Sequence, residues 1–95
     1  MAQATNQGKG SEFVDKHRQQ LIQRISSVME IADCLLSKKM ITGEMYSSIS
    51  AAAISQEQMR ILYKSLDSGG RAVKEEFYNI LKEKQRFLVD DLECI

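Results

Sequence analysis

This sequence predicts an all-α fold, a bundle of six short antiparallel helices. Apolar residues recur three and four positions apart in successive segments, which is the pattern of helices buried on one face. Proline is absent, and β-branched residues never alternate with polar ones over the length of a strand. Short amphipathic helices joined by short loops can bury their apolar stripes only against one another, so a compact bundle follows.

Composition limits the chain to one domain and narrows its possible functions. The 95 residues suffice for a single core, and 43% hydrophobic with 27% charged residues is typical of globular proteins. Because 13 basic and 13 acidic side chains balance, no overall positive field would hold a polyanion, and we expect no nucleic-acid partner. The chain has no run of about 18 apolar residues and starts with a polar segment, so we expect a cytoplasmic protein without a membrane partner.

The chain divides into a polar N-terminal segment and one domain. Residues 1–11 are rich in Gln, Asn, Gly and Thr and lack apolar periodicity, which predicts a linker or a cloning remnant. Residues 12–95 carry the amphipathic segments and are predicted to form the domain. Ser11 is a candidate N-cap for a first helix running from about Glu12 to about Ser26.

The first helix combines an apolar stripe with a cation. Val14, Leu21, Ile22 and Ile25 fall on one helical face at about 100° per residue, and Arg18 falls on the same face. Burying an unpaired guanidinium is strongly unfavourable. Either the helix therefore bends near Arg18, or this side chain leaves the stripe at its edge.

Two capping-box patterns predict where the second and fourth helices begin, and apolar spacing predicts the third. Ser27 with Glu30 three residues later has the form of a capping box and opens the second helix. Thr42 precedes a short third helix, whose serines are indifferent helix formers. Ser55 with Gln58 repeats the capping-box pattern and opens the fourth helix.

Glycines and lysines indicate where helices end. Lys38 and Lys39 suit the C-terminal turn of the second helix, where cations meet the negative end of the helix dipole. Ser68-Gly69-Gly70 is the clearest break, because glycine adopts the positive φ that ends a helix. The fifth helix is predicted over about Arg71–Lys84 and the sixth over about Arg86–Glu93. The apolar faces of these helices are predicted to form the core: Val28, Ile31, Ala32, Leu35, Leu36, Met45, Tyr46, Ile49, Met59, Leu62, Tyr63, Leu66, Val73, Phe77, Ile80, Leu81, Leu88 and Leu92.

Residues for catalysis or metal binding are scarce. His17 is the only histidine, and Cys34 and Cys94 are the only cysteines. A pair of Cys34 and His17 on neighbouring helices is formally available, but no orienting group or nucleophile motif accompanies it. One histidine and two cysteines fall short of a four-ligand zinc site. We expect no enzyme activity, no metal, no cofactor and free thiols, with Cys94 able to cross-link two chains in air.

Charges of opposite sign are predicted on different helices. Composition and spacing fit a solvated, mixed surface, and they fit equally a module that binds copies of itself. The basic residues are Arg18, Arg24, Arg60 and Lys64, and the acidic ones are Glu30, Asp33, Asp90 and Asp91.

Three segments resemble the caspase recruitment domain, a six-helix module of the death-fold class. The resemblance covers about residues 12–93 and is to the version found in inflammasome adaptors and NLR sensors. The segments that carry it are Phe13-Val14-Asp15-Lys16-His17-Arg18 with Leu21-Ile22 and Arg24-Ile25, then Gln58-Met59-Arg60 with Leu62-Tyr63, then Phe87-Leu88-Val89-Asp90-Asp91-Leu92-Glu93.

The resemblance implies homotypic association without catalysis. In such domains a basic patch from the first and fourth helices meets an acidic patch from the second helix of the next copy, and the first helix is kinked. Arg18, Arg24 and Arg60 match basic positions, Asp33 matches an acidic one, and Phe87 matches an aromatic position of another assembly contact.

Two further residues join these patches on weaker grounds. Lys64 is added to the basic patch because it lies four residues after Arg60 on the same helix flank. Glu30 is added to the acidic patch, although Met29 stands where the family has an acid.

We therefore expect an interaction module that recruits an adaptor or inflammatory caspase carrying a caspase recruitment domain and forms homo-oligomers or filaments when concentrated, in inflammasome or cell-death signalling. The alternatives are a helical scaffold without self-assembly and an enzyme using Cys34 and His17. The sequence leaves open whether the parent protein is a receptor, an adaptor or a caspase.

Overall fold

The computed structural model describes residues 10–93, which contain seven helical segments and no strand. The sequence predicts six helices; the seventh segment arises because the predicted first helix is interrupted by a turn at His17. The segments are α1 (described over residues 10–16), α2 (Arg18–Arg24), α3 (Val28–Ser37), α4 (Gly43–Ala51), α5 (Ser55–Gly69), α6 (Arg71–Lys84) and α7 (Arg86–Glu93).

The predicted starts of the second, third and fourth helices are right to within one residue, but the capping hydrogen bonds differ from the prediction. The Thr42 Oγ1 accepts a hydrogen bond from the Met45 N–H at 3.1 Å, as an N-cap should. Ser27 is the N-cap of α3, but its side chain makes no capping hydrogen bond. Ser55 is the first helical residue of α5, and the N-cap is Ile54, so the predicted capping boxes at Ser27 and Ser55 are wrong.

The start of α1 also differs from the sequence prediction. Gly10 and Ser11, assigned from sequence to the linker and the N-cap, are helical, and Gly10 is buried. The Ser11 backbone N–H donates to Glu75 Oε2 at 2.8 Å, so a carboxylate from α6 satisfies a free amide near this end. The rest of the predicted linker, residues 1–9, and the predicted cross-linking Cys94 lie outside the described residues.

Two helix ends require left-handed backbone. α5 ends at Gly69 and is followed by Gly70 at φ +82°, as the glycine break predicts. α3 ends at Ser37, and two residues later a non-glycine residue, Lys39, has φ +61°. The Lys39 and Met40 N–H groups donate back into the last turn of α3 at 3.0 and 2.8 Å, which is the Schellman pattern. Lys39 thus closes the helix with its backbone, where the sequence predicts a role for its charge.

The helices bury one contiguous core. The predicted apolar faces are confirmed for every helix, with Leu36, Met45 and Tyr46 packing at the edge rather than inside. The core also contains residues absent from the sequence prediction: Phe13, Ile41, Tyr78 and Val89. No helix among residues 10–93 has the length and apolarity needed to cross a bilayer.

Candidate protein-interaction site

Four exposed cations are predicted to act together, and we refer to them as the α2–α5 basic surface: Arg18 and Arg24 from α2, Arg60 and Lys64 from α5. α2 packs against α5 because Leu21 and Ile22 on one helix and Met59, Leu62 and Tyr63 on the other are buried. This packing places Arg18 and Arg60 in the lining of one surface depression of about 370 Å³, with Ile22 and three glutamines.

Arg18 leaves the apolar stripe at the interruption of the first helix. It follows the turn at His17, and its side chain is 48% exposed although Val14, one turn earlier, is fully buried. The guanidinium carbon lies 4.8 Å from the centre of the Tyr63 ring, within the range of a cation–π contact. Nη1 lies 3.5 Å from Oδ2 of Asp67, so the cation has both an aromatic and an anionic neighbour.

Tyr63 connects this cation to the core. Its ring is completely buried, and its hydroxyl donates to the Val14 carbonyl oxygen at 2.7 Å. Burial raises the pKa of Tyr63 well above its ordinary value, while the positive charge of Arg18 acts in the opposite direction. The same tyrosine therefore ties α5 to α1 and supports Arg18.

The other three cations differ in whether they have a partner in the chain. Arg24 Nη1 lies 2.8 Å from Oδ2 of Asp91 on α7, an ion pair that helical spacing could not predict. Arg60 and Lys64 have no ion-pair partner within 4.0 Å among residues 10–93. Exposed ion pairs contribute only about 0–1 kcal/mol, so Arg18 and Arg24 remain available to a competing carboxylate.

The α3 acidic surface consists of Glu30 and Asp33, which lie three residues apart on the exposed side of one helix. Glu30 Oε2 lies 3.9 Å from Lys84 Nζ of α6, at the outer limit of an ion pair. The Tyr46 hydroxyl of α4 donates to Asp33 Oδ1 at 2.5 Å, and this hydrogen bond is the main reason that the pKa of Tyr46 is raised.

Two large apolar side chains are exposed among the described residues. Phe87, in the first turn of α7, is 89% exposed. Ile54, the N-cap of α5, is 56% exposed, and because it precedes the apolar stripe of that helix, periodicity does not predict it.

The two residues considered for catalysis lie in ordinary surroundings. The His17 ring packs against Phe13 with ring centres 4.8 Å apart, and Cys34 is a half-buried free thiol packed against the core. Within the described part of the chain, neither side chain has a hydrogen-bond partner, and no three His, Cys, Asp or Glu residues group as metal ligands would.

The bundle thus exposes four cations on α2 and α5 and two carboxylates on α3. The caspase recruitment domain family matches residues 11–94, so the chain belongs to this family of death-fold interaction domains, and the resemblance predicted from the sequence is confirmed.

Three relatives show the range of proteins to which the chain is similar. It is 40% identical over 82 residues to the Danio rerio apoptosis-associated speck-like protein containing a CARD, covering 85% of this chain and 40% of that protein. It is 39% identical over 80 residues to the Mus musculus NACHT, LRR and PYD domains-containing protein 1b allele 3, and 38% identical over 80 residues to the Rattus norvegicus protein 1a allele 1. These matches cover 84% of this chain but only 7% and 6% of those proteins, so the chain spans a minor part of each relative.

Proposed function

We propose that this chain is a homotypic interaction module that recruits an adaptor or inflammatory caspase carrying a similar domain, in cytoplasmic inflammasome or cell-death signalling. Its family and the similarity to a speck-like adaptor support this assignment. The strongest structural support for the proposal is that Arg18 and Arg60 line one depression and that Arg60 has no ion-pair partner among the described residues.

The contact joins the α2–α5 basic surface of one copy to the α3 acidic surface of the next. α1 and α2 act as the two halves of one bent helix, which gives the six-helix arrangement of the family. Because the two surfaces differ, the contact is heterologous and generates an open filament when the rotation between copies does not close. Phe87, 89% exposed on α7, belongs to a second contact between copies.

Assembly exchanges ion pairs within a chain for ion pairs between chains. Arg18 and Arg24 give up Asp67 and Asp91, and Glu30 gives up Lys84. Because exposed pairs are weak, the net gain comes from placing several cations opposite several carboxylates. A single contact is therefore weak, salt weakens it further, and copies gathered by neighbouring domains of a longer protein associate by raised effective concentration.

Single charge reversals on each surface test this proposal. Arg60→Glu is the sharpest change on the basic surface, because it breaks no ion pair among the described residues. Asp33→Lys is its counterpart on α3. We expect each variant to lose polymerisation, followed by light scattering and electron microscopy, while far-ultraviolet circular dichroism stays unchanged.

Arg71→Glu supplies the matched control. Arg71 is exposed at the first residue of α6, beyond the Gly70 break that ends the helix of Arg60, and an acid is well tolerated at a helix start. This variant should polymerise like the parent chain. Mixing Arg60→Glu with Asp33→Lys should restore association, because the unmodified acidic surface of the first variant meets the unmodified basic surface of the second.

Two results would contradict the proposal. If both reversed proteins still form filaments, the charged surfaces do not make the contact. If the unsubstituted chain does not polymerise even when an oligomeric carrier holds many copies together, the domain is a helical scaffold without self-assembly.

A further inference from the structure

Four charged side chains form a continuous series of ion pairs across four helices. Lys74 Nζ on α6 lies 2.9 Å from Asp15 Oδ1 on α1 and 3.4 Å from Asp67 Oδ1 on α5. The second oxygen of Asp67 faces Arg18 Nη1 on α2 at 3.5 Å. We call these residues the charge series, and it ends on the basic surface at Arg18.

Burial differs along the charge series. The Lys74 side chain is only 15% exposed, whereas Asp15 is 57% exposed and Asp67 and Arg18 are each 48% exposed. The hydrogen bond to Asp15 is the largest of the effects that raise the pKa of Lys74, so this lysine is charged at every physiological pH. Screening by solvent and salt is therefore weaker around Lys74 than around the other three side chains.

Lys74 divides its single charge between two carboxylates. Asp15 receives the shorter contact, at 2.9 Å against 3.4 Å, so Asp67 is only partly neutralised and keeps negative charge directed at Arg18. A carboxylate in this position competes with any carboxylate that a partner brings to Arg18.

We propose that Asp67 is an intramolecular competitor for Arg18, and that Lys74 sets the strength of this competition. This inference rests on the proposed function and concerns which partner surfaces bind at Arg18. A partner that offers more than one carboxylate, as Glu30 and Asp33 of a second copy do, displaces Asp67 more readily than a surface with a single isolated acid does.

The geometry allows this exchange without leaving a charge unpaired. The Arg18 guanidinium can remain over the Tyr63 ring while its N–H groups turn from Asp67 to the partner. The Asp67 carboxylate still has a cationic neighbour when Arg18 leaves it, because Lys74 Nζ lies 3.4 Å from Asp67 Oδ1. Asp67 and Lys74 are therefore positioning residues, and neither needs to touch the partner.

Substitutions along the charge series should change the rate of assembly in alternating directions. Asp67→Asn removes the competitor and should speed polymerisation about twofold to fivefold, the range expected for one exposed charge pair. Lys74→Met leaves Asp67 without its neighbour and should slow polymerisation by a similar factor, and Lys74→Arg should restore the parent rate. Glu83→Gln removes an exposed acid from α6 and serves as the charge-matched control for Asp67→Asn.

A second measurement follows Arg18 in the dilute, unassembled chain. Phenylglyoxal modifies arginine side chains, and peptide mass spectrometry reports the rate at each one. Asp67→Asn should speed modification of Arg18 and Lys74→Met should slow it, while the rate at Arg60 stays constant. A change in overall charge alone would shift both arginines, and that result would overturn the inference.

The outcomes separate this inference from the proposed function. If Arg18→Glu abolishes assembly but Asp67→Asn changes neither the assembly rate nor the Arg18 reactivity, the competitor role is wrong and the proposed function stands. If Asp67→Asn slows assembly, Asp67 holds Arg18 for the partner instead of competing, and the inference is overturned. If Arg18→Glu assembles normally while the reactivity changes as expected, the competition within the chain stands and the proposed function fails.

Discussion

The α2–α5 basic surface takes its cations from two helices that tertiary packing brings together, whereas the α3 acidic surface takes both carboxylates from one turn of one helix. Each surface also has a supporting tyrosine. On the basic side the Tyr63 ring lies under Arg18 and is completely buried. On the acidic side the Tyr46 hydroxyl binds Asp33 at the edge of the fold. The basic surface is thus coupled to the core, and the acidic surface depends little on it.

The largest test of this difference removes each tyrosine in turn. Tyr63→Ala should lower the free energy of unfolding by about 3–5 kcal/mol, because it empties a fully buried aromatic site and removes the hydrogen bond to Val14. Tyr46→Ala should give a much smaller change, measured for both variants as a shift of the urea midpoint. Equal shifts would show that both surfaces are part of the core.

Tyr63→Phe separates the hydroxyl from the ring. This variant keeps the packing and the contact with Arg18 but loses the hydrogen bond to Val14, which should cost about 1 kcal/mol. If Tyr63→Phe lowers the free energy of unfolding as much as Tyr63→Ala does, the hydroxyl rather than the ring couples the basic surface to the core.

The two surfaces also differ in how far the sequence predicts them. Helical periodicity alone places Glu30 and Asp33 together, since residues three apart in a helix are neighbours. The same rule places Lys64 beside Arg60 but cannot bring Arg18 to them, because that proximity depends on how α2 packs against α5. The family resemblance supplied what periodicity could not.

Ion pairs between distant segments escape sequence reasoning for the same reason. Arg24 with Asp91, and Asp67 with Arg18, join side chains from different helices whose relative register only the packed bundle defines. The capping box predicted at Ser27 is wrong because a sequence motif shows only that the capping hydrogen bond is possible. It does not show whether other hydrogen-bond partners compete with that bond. The core faces of the helices, in contrast, follow directly from periodicity.

The helix ends next to the two surfaces provide a second comparison. α5, which carries Arg60, is followed by Gly70 at φ +82° and ψ −161°, a region that is open essentially to glycine alone. Gly70→Ala should lower the free energy of unfolding by about 1–3 kcal/mol, although the added Cβ has no neighbour within 4 Å. The cost is then conformational, and thermal denaturation measures it.

The backbone after α3, the helix that carries the acidic surface, also has a positive φ, but here the residue is not glycine. Lys39 holds a left-handed φ of +61° that glycine adopts without a Cβ penalty. Lys39→Gly should therefore raise the free energy of unfolding by about 0.5–1 kcal/mol. Since the Lys39 side chain is exposed, Lys39→Ala is the matched control and should give no such gain. A gain in Lys39→Ala would assign the effect to removed charge.

The smallest expected effect is measured by an alkaline titration, which distinguishes Tyr63 from Tyr46 by the cause of their raised pKa. Burial raises the pKa of Tyr63, so the folded chain keeps this proton above pH about 10, where the unfolded chain releases it. The stability that Tyr63 contributes is fully present below pH about 10 and is lost as the pH rises further. Its phenolate should appear only together with loss of helical circular dichroism.

Tyr46 should ionise while the helices are intact, because the hydrogen bond to Asp33 is the largest cause of its raised pKa and burial is a smaller one. Burial and Glu93 raise the pKa of Tyr78 to about 12. Asp33→Asn should lower the pKa of Tyr46 toward its ordinary value, since no carboxylate then opposes the phenolate, and near-ultraviolet absorbance would record the shift. An unchanged titration in Asp33→Asn would mean that Tyr46 does not hold Asp33, and the acidic surface would then lack the support that makes it the counterpart of the basic one.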